Sequence, residues 1–484
     1  MKSITNLALW CSFFTAGVQA FQNPIRKPGP DPSVVYADGY YHLTYTTYNH
    51  IEITKAKKLG DLINGETKTI WTDTNRTRSA NMWAPEIHRI DDIWYMFYSS
   101  CNADLPCCDS CQTRVLKGCD AAGPSDCEYE HLADLVPPKG KQGQADGNFA
   151  FSIDGTYLEI PGKGRFHVLS IINKDLLQSI AITRLDTENW TVDGWHVISV
   201  PDQPWEMNTT NSNPNSITAV NEGPHPLYHD GEIWLSYSGS YCGTPNYALG
   251  LLHYNGGDPL EASSWDKIGP VFSQANGNYG TGHNCFFTSP DGSQIWNAFH
   301  ATSNSRGSCG GDRFTLAQLV TFKPGQTPEF GVPQPLSAVL DPPSGEYQHQ
   351  DPLFVYGTLR ALPLLAWALT GDASNTSTVA RLTRPAKVHG YARYAVKNRD
   401  YPAVVKHTDE PSTLDGYLLT LQTRSQRKKL DGFEGETYKV TAVSVELEDG
   451  RTVDGDMYVW DGDMRDVSTE PWELETFVKE RLED

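Results

Sequence analysis

The sequence predicts an all-β fold over residues 21–340, a five-bladed β-propeller, followed by a second, unrelated domain over residues 351–484. Three observations carry this. A strand–turn–strand unit recurs five times before residue 300. The chain has 484 residues, more than one ordinary domain needs. Its character also changes near residue 340: no cysteine lies beyond Cys309, and tryptophans become few.

Each unit is an extended segment, a tight Asp or Gly turn, and an aromatic strand. The first runs Pro32–Tyr36, turns at Asp38-Gly39 and continues as Tyr40–Tyr45. The second turns at Asp91-Asp92 into Ile93–Tyr98, and the third at Gly162–Gly164 into Arg165–Leu169. The fourth turns at Asp230-Gly231 into Glu232–Tyr237, and the fifth at Asp291-Gly292 into Ser293–Phe299. Successive turns stand 53, 71, 68 and 61 residues apart. Radial repetition of small antiparallel sheets buries both faces of each sheet. A β-sandwich supplies no reason for such a period. Strand material to close the ring, such as Phe314–Phe322, is finished before residue 341.

The repeat also places candidate chemistry. Seven or eight residues before each turn lie Asp31, Trp83, Asp154, Glu222 and His283. A propeller brings equivalent positions around one axis, so three carboxylates, a tryptophan and a histidine should converge. Singly, Asp31, Asp154-Gly155 and Glu222-Gly223 also suit turns. Jointly they are costly, because crowded like charges repel. Paired carboxylates beside an aromatic ring are what glycosidic cleavage needs.

Composition narrows the partners. Net charge is −20, which argues against a nucleic-acid binder, whose phosphate contacts need clustered Lys and Arg, and against an anionic membrane surface. The first 20 residues read as a secretory signal: Lys2, the apolar stretch Leu7–Val18, and the small-residue site ending at Ala20. No other apolar run is long enough to span a bilayer. Six cysteines fall between Cys101 and Cys127. A zinc cluster is one reading; in a secreted chain a disulfide-stapled loop is preferred. Nine cysteines remain after the signal, so one thiol is expected to be unpaired. Sequons occur at Asn75, Asn189, Asn208 and Asn375.

Over about residues 21–335 the chain resembles glycoside hydrolase family 43, in the segments Gly29–Tyr36, Met82–His88, Ser152–Thr156, Val220–Pro224 and Thr281–Gly292. The run Leu249–Tyr254, with Asn278–Asn284, is most similar to secreted fungal exo-acting α-L-arabinofuranosidases. The cysteine-rich insertion departs from the family pattern. The resemblance implies an inverting hydrolase that releases arabinofuranose from arabinan or arabinose-substituted plant polysaccharide. It implies Asp31 as general base, Glu222 as general acid, and Asp154 as the residue that raises and orients that acid. Trp83 would stack on a sugar face and Arg313 would bind sugar hydroxyls. His283 would contact a structural ion or water; no cofactor is required and no catalytic metal is assigned. A monomer is expected. Endo-arabinanase and β-xylosidase action remain open, as does a non-catalytic carbohydrate-binding propeller, which the presence of all three carboxylates disfavours.

Asp341–Gln350 is polar and proline-containing and reads as a linker. Beyond it, Leu353–Leu359 is an apolar strand entering a glycine turn, whose backbone N–H groups can hold a carboxylate. Strands are expected around Val440–Leu447 and Asp456–Trp460, with an acidic helix from about Pro471. Through Tyr356, Gly357, Thr358 and Leu359, and then Phe433-Glu434-Gly435, residues 352–465 resemble the gamma-glutamylcyclotransferase-like fold, a small mixed α/β barrel. The resemblance implies Glu434 as general acid/base in the attack of an amine on a γ-glutamyl carbonyl. An inactive barrel with Glu434 in a solvated loop is the alternative.

Overall fold

The computed structural model describes residues 20–106, 110–138, 151–208, 219–346, 352–397, 399–407, 412–421, 424–435 and 437–481. The expected signal (but for Ala20), Cys107, Cys108 and residues 347–350 of the expected linker lie outside them. The chain divides into two compact units, Met1–Ser344 and Gly345–Asp484.

The first unit is built from five small antiparallel sheets. Strands β1–β4 (Ser33–Ala37, Tyr40–Thr44, Ile51–Ala56, Glu66–Trp71) form the first in chain order. Strands β5–β8 (Ala80–Ile90, Ile93–Cys101, Gln112–Lys117, Glu130–Asp134) form the second. The third holds β9–β13 (Ser152–Ile160, Gly164–Ile172, Gln178–Asp186, Thr191–Val192, His196–Ser199). The fourth holds β14–β17 (Asn221–His229, Glu232–Gly239, Ala248–Tyr254, Trp265–Phe272), and the fifth β18–β20 (Tyr279–Thr288, Ile295–Thr302, Phe314–Val320). Each expected turn joins the first strand of a sheet to its second. Asp38-Gly39, Asp91-Asp92 and Asp230-Gly231 have positive φ at both central residues. That backbone matches the right-handed twist of the flanking strands.

The first strands touch in a cycle: β1 with β5, β5 with β9, β9 with β14, β14 with β18, and β18 with β1. Apolar clusters fill the spaces between neighbouring sheets. Ile53 and Met96 meet between the first and second sheets, and Phe97 and Trp190 between the second and third. Phe166 and Leu235 lie between the third and fourth, Leu249 and Phe299 between the fourth and fifth, and Phe287 and Tyr41 between the fifth and first. Each sheet is therefore covered on both faces, and the second strands read as nearly unbroken buried runs. In β6, eight of nine residues are buried.

The cycle is fastened by the chain's early residues. Ile25 and Arg26 pair with Thr315 on β20, and Phe21 pairs with Leu340. Closure therefore draws on residues beyond Phe314–Phe322. Leu340 is needed too, and Ser344 is fixed on the fifth sheet through Asp291 Oδ2 at 2.5 Å and Gln294 Oε1 at 2.8 Å. The first residues of the expected 341–350 linker are thus anchored. Disulfides join Cys101 to Cys111, Cys119 to Cys127 and Cys242 to Cys309, while Cys285 is a buried free thiol.

In the second unit, β21 (Leu353–Val355), β22 (Thr383–His389), β25 (Thr413–Leu419), β26 (Tyr438–Leu447) and β27 (Thr452–Trp460) close a barrel in the order β21-β25-β22-β26-β27. Its one parallel pair, β21 with β27, seals it. A second sheet holds β23 (Tyr391–Val396), β24 (Pro402–Lys406) and β28 (Val467–Pro471). Helices α1 (Leu362–Thr370), α2 (Thr376–Ala380), α3 (Arg424–Glu434) and α4 (Leu474–Arg481) complete it. Leu365, Leu369 and Leu430 from α1 and α3 pack with Leu353, Val355 and Leu419 of the barrel.

Candidate active site

The strands that touch in the cycle share one local device. At the matched phase the backbone turns left-handed: Asp31 (φ 53), Ala84 (φ 43), Asp154 (φ 55), Gly223 (φ 58) and His283 (φ 44). The ladders of β5, β9, β14 and β18 slip there, as β-bulges do. Asp31, Asp154 and His283 occupy the left-handed position itself, whereas Trp83 and Glu222 sit one residue earlier. The expected phase was therefore one residue loose in two repeats. Gly223 also has a steric reason: a Cβ there would stand 3.1 Å from the His283 ring.

The structure brings Asp31, Asp154, Glu222, His283 and Arg313 together. Arg313 Nη1 donates to Asp31 Oδ1 at 2.6 Å, and His283 Nδ1 lies 3.4 Å from the same oxygen. His300 Nδ1 lies 3.1 Å from it. One donor atom each of Asp154, Glu222 and His283 falls within 4.8 Å of the others. Asp154 Oδ2 accepts the Gly223 N–H at 3.2 Å, which holds it beside Glu222. Glu222 accepts from Tyr247 Oη at 3.0 Å and from Gln178 Nε2 at 2.7 Å. Trp83 is partly buried and packs on the Cys101–Cys111 disulfide, Phe151 and Ile153. The cysteine-rich insertion thus backs the expected aromatic platform.

These groups divide electrostatically. Burial would raise the Asp31 carboxyl, but Arg313, His283 and His300 outweigh it and hold Asp31 well below the usual carboxylate range. Asp154 is pushed up to about 7 chiefly by burial, against the pull of His283 and with the negative charges of Glu222 and Asp31 adding to the rise. Burial, with Asp31, raises Glu222 as well, against the pull of His283, Tyr247 and Gln178. Asp154 and Glu222 are thus both raised, because both are desolvated. Two such groups titrate as a pair. His283 would be lowered by burial, but the three carboxylates raise it.

Sequence reasoning missed Tyr247, Gln178 and His300. Tyr247 stacks on His300, with ring centroids 5.5 Å apart and an interplanar angle of 3°. His300 follows directly on the aromatic run that ends at Phe299, a usable signal. Tyr247 and Gln178 stand at strand starts, where only the fold shows what they face.

In the second unit, Tyr356, Gly357, Thr358, Leu359 and Glu434 line one pocket. Burial pushes the Glu434 carboxyl up to about 7. Glu434 ends helix α3 and does not stand in a solvated loop. Tyr356 is buried and its hydroxyl donates to the Tyr458 carbonyl, which fixes the strand that enters the glycine turn.

Comparison with known proteins finds a family for each unit. The model of glycosyl hydrolases family 43 matches residues 21–328, and that of gamma-glutamyl cyclotransferase, AIG2-like, matches residues 353–474. An extracellular exo-α-(1→5)-L-arabinofuranosidase of Streptomyces avermitilis is 32% identical over 65% of this chain and 63% of its own length. The α-L-arabinofuranosidase B of Pyricularia oryzae is 28% identical over 65% of this chain and 64% of its own. The chain thus spans just under two thirds of the length of these relatives. A crystal structure of α-L-arabinofuranosidase from Lactobacillus brevis, 27% identical, superposes on 66% of this chain and 98% of its own with a TM-score of 0.57. Protein AIG2 C of Arabidopsis thaliana is 29% identical over 22% of this chain and 60% of its own length. The chain therefore belongs to the glycosyl hydrolases family 43 and carries a C-terminal domain of the gamma-glutamyl cyclotransferase, AIG2-like kind.

Proposed function

We propose that this protein is a secreted, inverting glycoside hydrolase that releases arabinofuranose from arabinan or arabinose-substituted plant polysaccharide. The observation that carries the reading is the opposed polarity of the carboxyls: Asp31 is held ionised while the Asp154/Glu222 pair, buried at Asp154 and partly so at Glu222, keeps a proton. An inverting hydrolase needs an ionised base and a protonated acid at the same pH. Asp31 takes a proton from water as its oxygen bonds to the anomeric carbon. Glu222 gives its proton to the glycosidic oxygen as the C–O bond breaks. The product is a sugar of inverted configuration, with Asp31 protonated and Glu222 ionised. Asp154 keeps the proton on the pair, and Arg313 keeps it off Asp31. Tyr247 and Gln178 aim Glu222.

We read the five sheets as the blades of a propeller, with the cycle of first strands as its axis, and the protein as a monomer. The oxygens of Asp154 and Glu222 and the His283 nitrogen are close enough to suit a cation. A cation held by all three would take the oxygen on which Glu222 must carry its proton. The cluster therefore fits proton sharing better than an ion, and no step is assigned to one. Secretion is supported by the three disulfides and by the printed names of the extracellular relatives. Among the described residues no helix is long and apolar enough to cross a membrane. In the second unit, Glu434 would serve as the acid/base of a cyclotransferase-type acyl transfer, with the turn after Tyr356 holding the substrate. The test of the main reading is hydrolysis of an aryl α-L-arabinofuranoside, followed by the product profile on linear arabinan. Monomeric arabinose as the first product supports the exo-acting reading; failure to cleave both substrates refutes it.

A further inference from the structure

Tyr48 lies in the β2–β3 loop and has no place in the reaction above. Its backbone is left-handed, with φ 74, a conformation that an aromatic residue rarely adopts. Such outliers persist where the surroundings hold them, and they cluster at functional sites. Here the hold is plain. The Tyr48 carbonyl accepts the N–H of Met82, the residue before Trp83, at 2.9 Å. The Thr47 hydroxyl donates to the His50 carbonyl and closes the turn. The Tyr48 hydroxyl donates to the Cys309 carbonyl at 3.3 Å.

The last contact places the ring. Arg313 Nη2 donates to that same carbonyl at 2.9 Å, while its Nη1 donates to Asp31 at 2.6 Å. The disulfide from Cys309 to Cys242 stiffens the acceptor. The tip of Tyr48 is thus one shared acceptor away from the guanidinium that pairs with Asp31. The residue as a whole is 37% exposed, although its tip is bonded and its backbone is pinned. A rigid, half-wet aromatic ring beside a carboxylate is a stacking surface for a ligand with both C–H faces and hydroxyls.

We propose that Tyr48 is a sugar-binding residue of this site, stacking on the arabinofuranosyl ring whose bond is cleaved. This rests on the glycosidase reading. Asp31, as base, acts on a water that itself touches the anomeric carbon, so the furanose ring lies within about one water of Asp31. Tyr48, tied to Asp31 through Arg313 and to Met82 beside Trp83, borders the space that this ring must fill.

The test compares Tyr48→Ala, Tyr48→Leu and Tyr48→Phe with wild type in the full chain, with circular dichroism to confirm folding. The readouts are kcat and KM on 4-nitrophenyl α-L-arabinofuranoside and the Kd for free L-arabinose by calorimetry. Loss of one stacking contact should raise KM and the arabinose Kd together, by about tenfold, with kcat within about threefold. Tyr48→Leu, which keeps bulk without a π face, should resemble Tyr48→Ala if the alanine variant folds, and stands in for it if not. Tyr48→Phe, which keeps the π face and loses only the bond to the Cys309 carbonyl, should bind more tightly than Tyr48→Leu. The proposal is overturned if KM and Kd stay unchanged in Tyr48→Ala and Tyr48→Leu, if kcat falls with KM unmoved, or if Tyr48→Phe is as weak as Tyr48→Leu. Failure of the glycosidase reading looks different: wild type would not turn the substrate over, while the arabinose Kd would still report on Tyr48.

Discussion

Replacing Arg313 with methionine should move the acidic limb of the pH profile. Arg313 and Asp31 are 5% and 8% exposed, and their charged atoms lie 2.6 Å apart. Burial is the largest influence on Asp31 and acts to raise it; Arg313 is the largest influence that lowers it. An opposite charge this close depresses a carboxyl by about 1–3 pH units. Each unit corresponds to about 1.4 kcal/mol. Asp31 must be ionised to act, so activity falls as pH drops through its pKa. With Arg313 gone, His283 and His300 remain but burial is less opposed, and the limb should rise by about 1–3 pH units. The assay is kcat/KM against pH on an aryl arabinofuranoside, because that ratio reports the free enzyme. Removing one partner of a buried pair also costs about 3–5 kcal/mol of stability. Arg313→Lys, which keeps the charge, is therefore measured beside it and should leave the limb within about one unit of wild type. If both variants lose activity equally at every pH, with the limb unmoved, Arg313 is a sugar ligand and does not set the state of Asp31.

Other expectations follow from the same geometry. Glu222→Gln and Asp31→Asn should each cost about 10²–10⁴-fold in kcat/KM with the fold intact; retention of more than about a tenth of wild-type activity would overturn the assignment. The first-formed sugar should show inverted configuration by NMR, with the two carboxyls about 6.5–9.5 Å apart; a retained product or a separation near 5 Å contradicts it. A chain ending at Ser344 keeps the anchors at Leu340 and Ser344 and should hydrolyse the same substrates, while residues 345–484 should fold alone and lose any cyclotransferase activity on Glu434→Gln. An unstable or inactive first fragment would show that the units share a core or cleft.

Much of this was legible because the propeller-like repeat is a repeat of turns. Asp38-Gly39, Asp91-Asp92 and Asp230-Gly231 are left-handed pairs that few other residues tolerate. The position of Asp31, Asp154 and His283 could then be counted back from them. The count slipped by one at Trp83 and Glu222 because the left-handed residue stands seven before the two-residue turns at Asp91 and Asp230 but eight before Gly162 and Asp291, whose turns are longer. Closure was harder to read. Phe21, Ile25 and Leu340 belong to no turn-bounded unit, and only their pairing across the whole unit reveals their part. Tyr247 and Gln178 were illegible for a similar reason: what they bond is set by which sheets become neighbours. In the second unit, Tyr356–Leu359 and Glu434 were found by motif, while the closure of the barrel through the parallel β21–β27 pair was not evident from strand order.

Both units keep a carboxyl protonated near neutral pH, by different means, and Asp154→Asn separates them. Glu434 is raised by burial alone, to about 7, so removing a neighbouring charge should leave it where it is. The Asp154/Glu222 pair is raised by burial, with the Glu222 charge adding to Asp154; the two titrate as a pair, and a neutral asparagine takes Asp154 out of it. Glu222 should then lose its proton at lower pH, and the alkaline limb of kcat/KM should move toward acid. Stability should move the other way. A carboxyl near 4 in the unfolded chain and near 7 when folded favours the folded state less as pH rises through that interval. This penalty is absent below the unfolded value and complete above the folded one. Asp154→Asn removes it, so at pH 8 the variant should melt above wild type while hydrolysing more slowly. A variant that melts lower at pH 8 and keeps the wild-type alkaline limb would mean that Asp154 is a structural hydrogen-bond partner of Gly223, and that Glu222 owes its proton to burial alone.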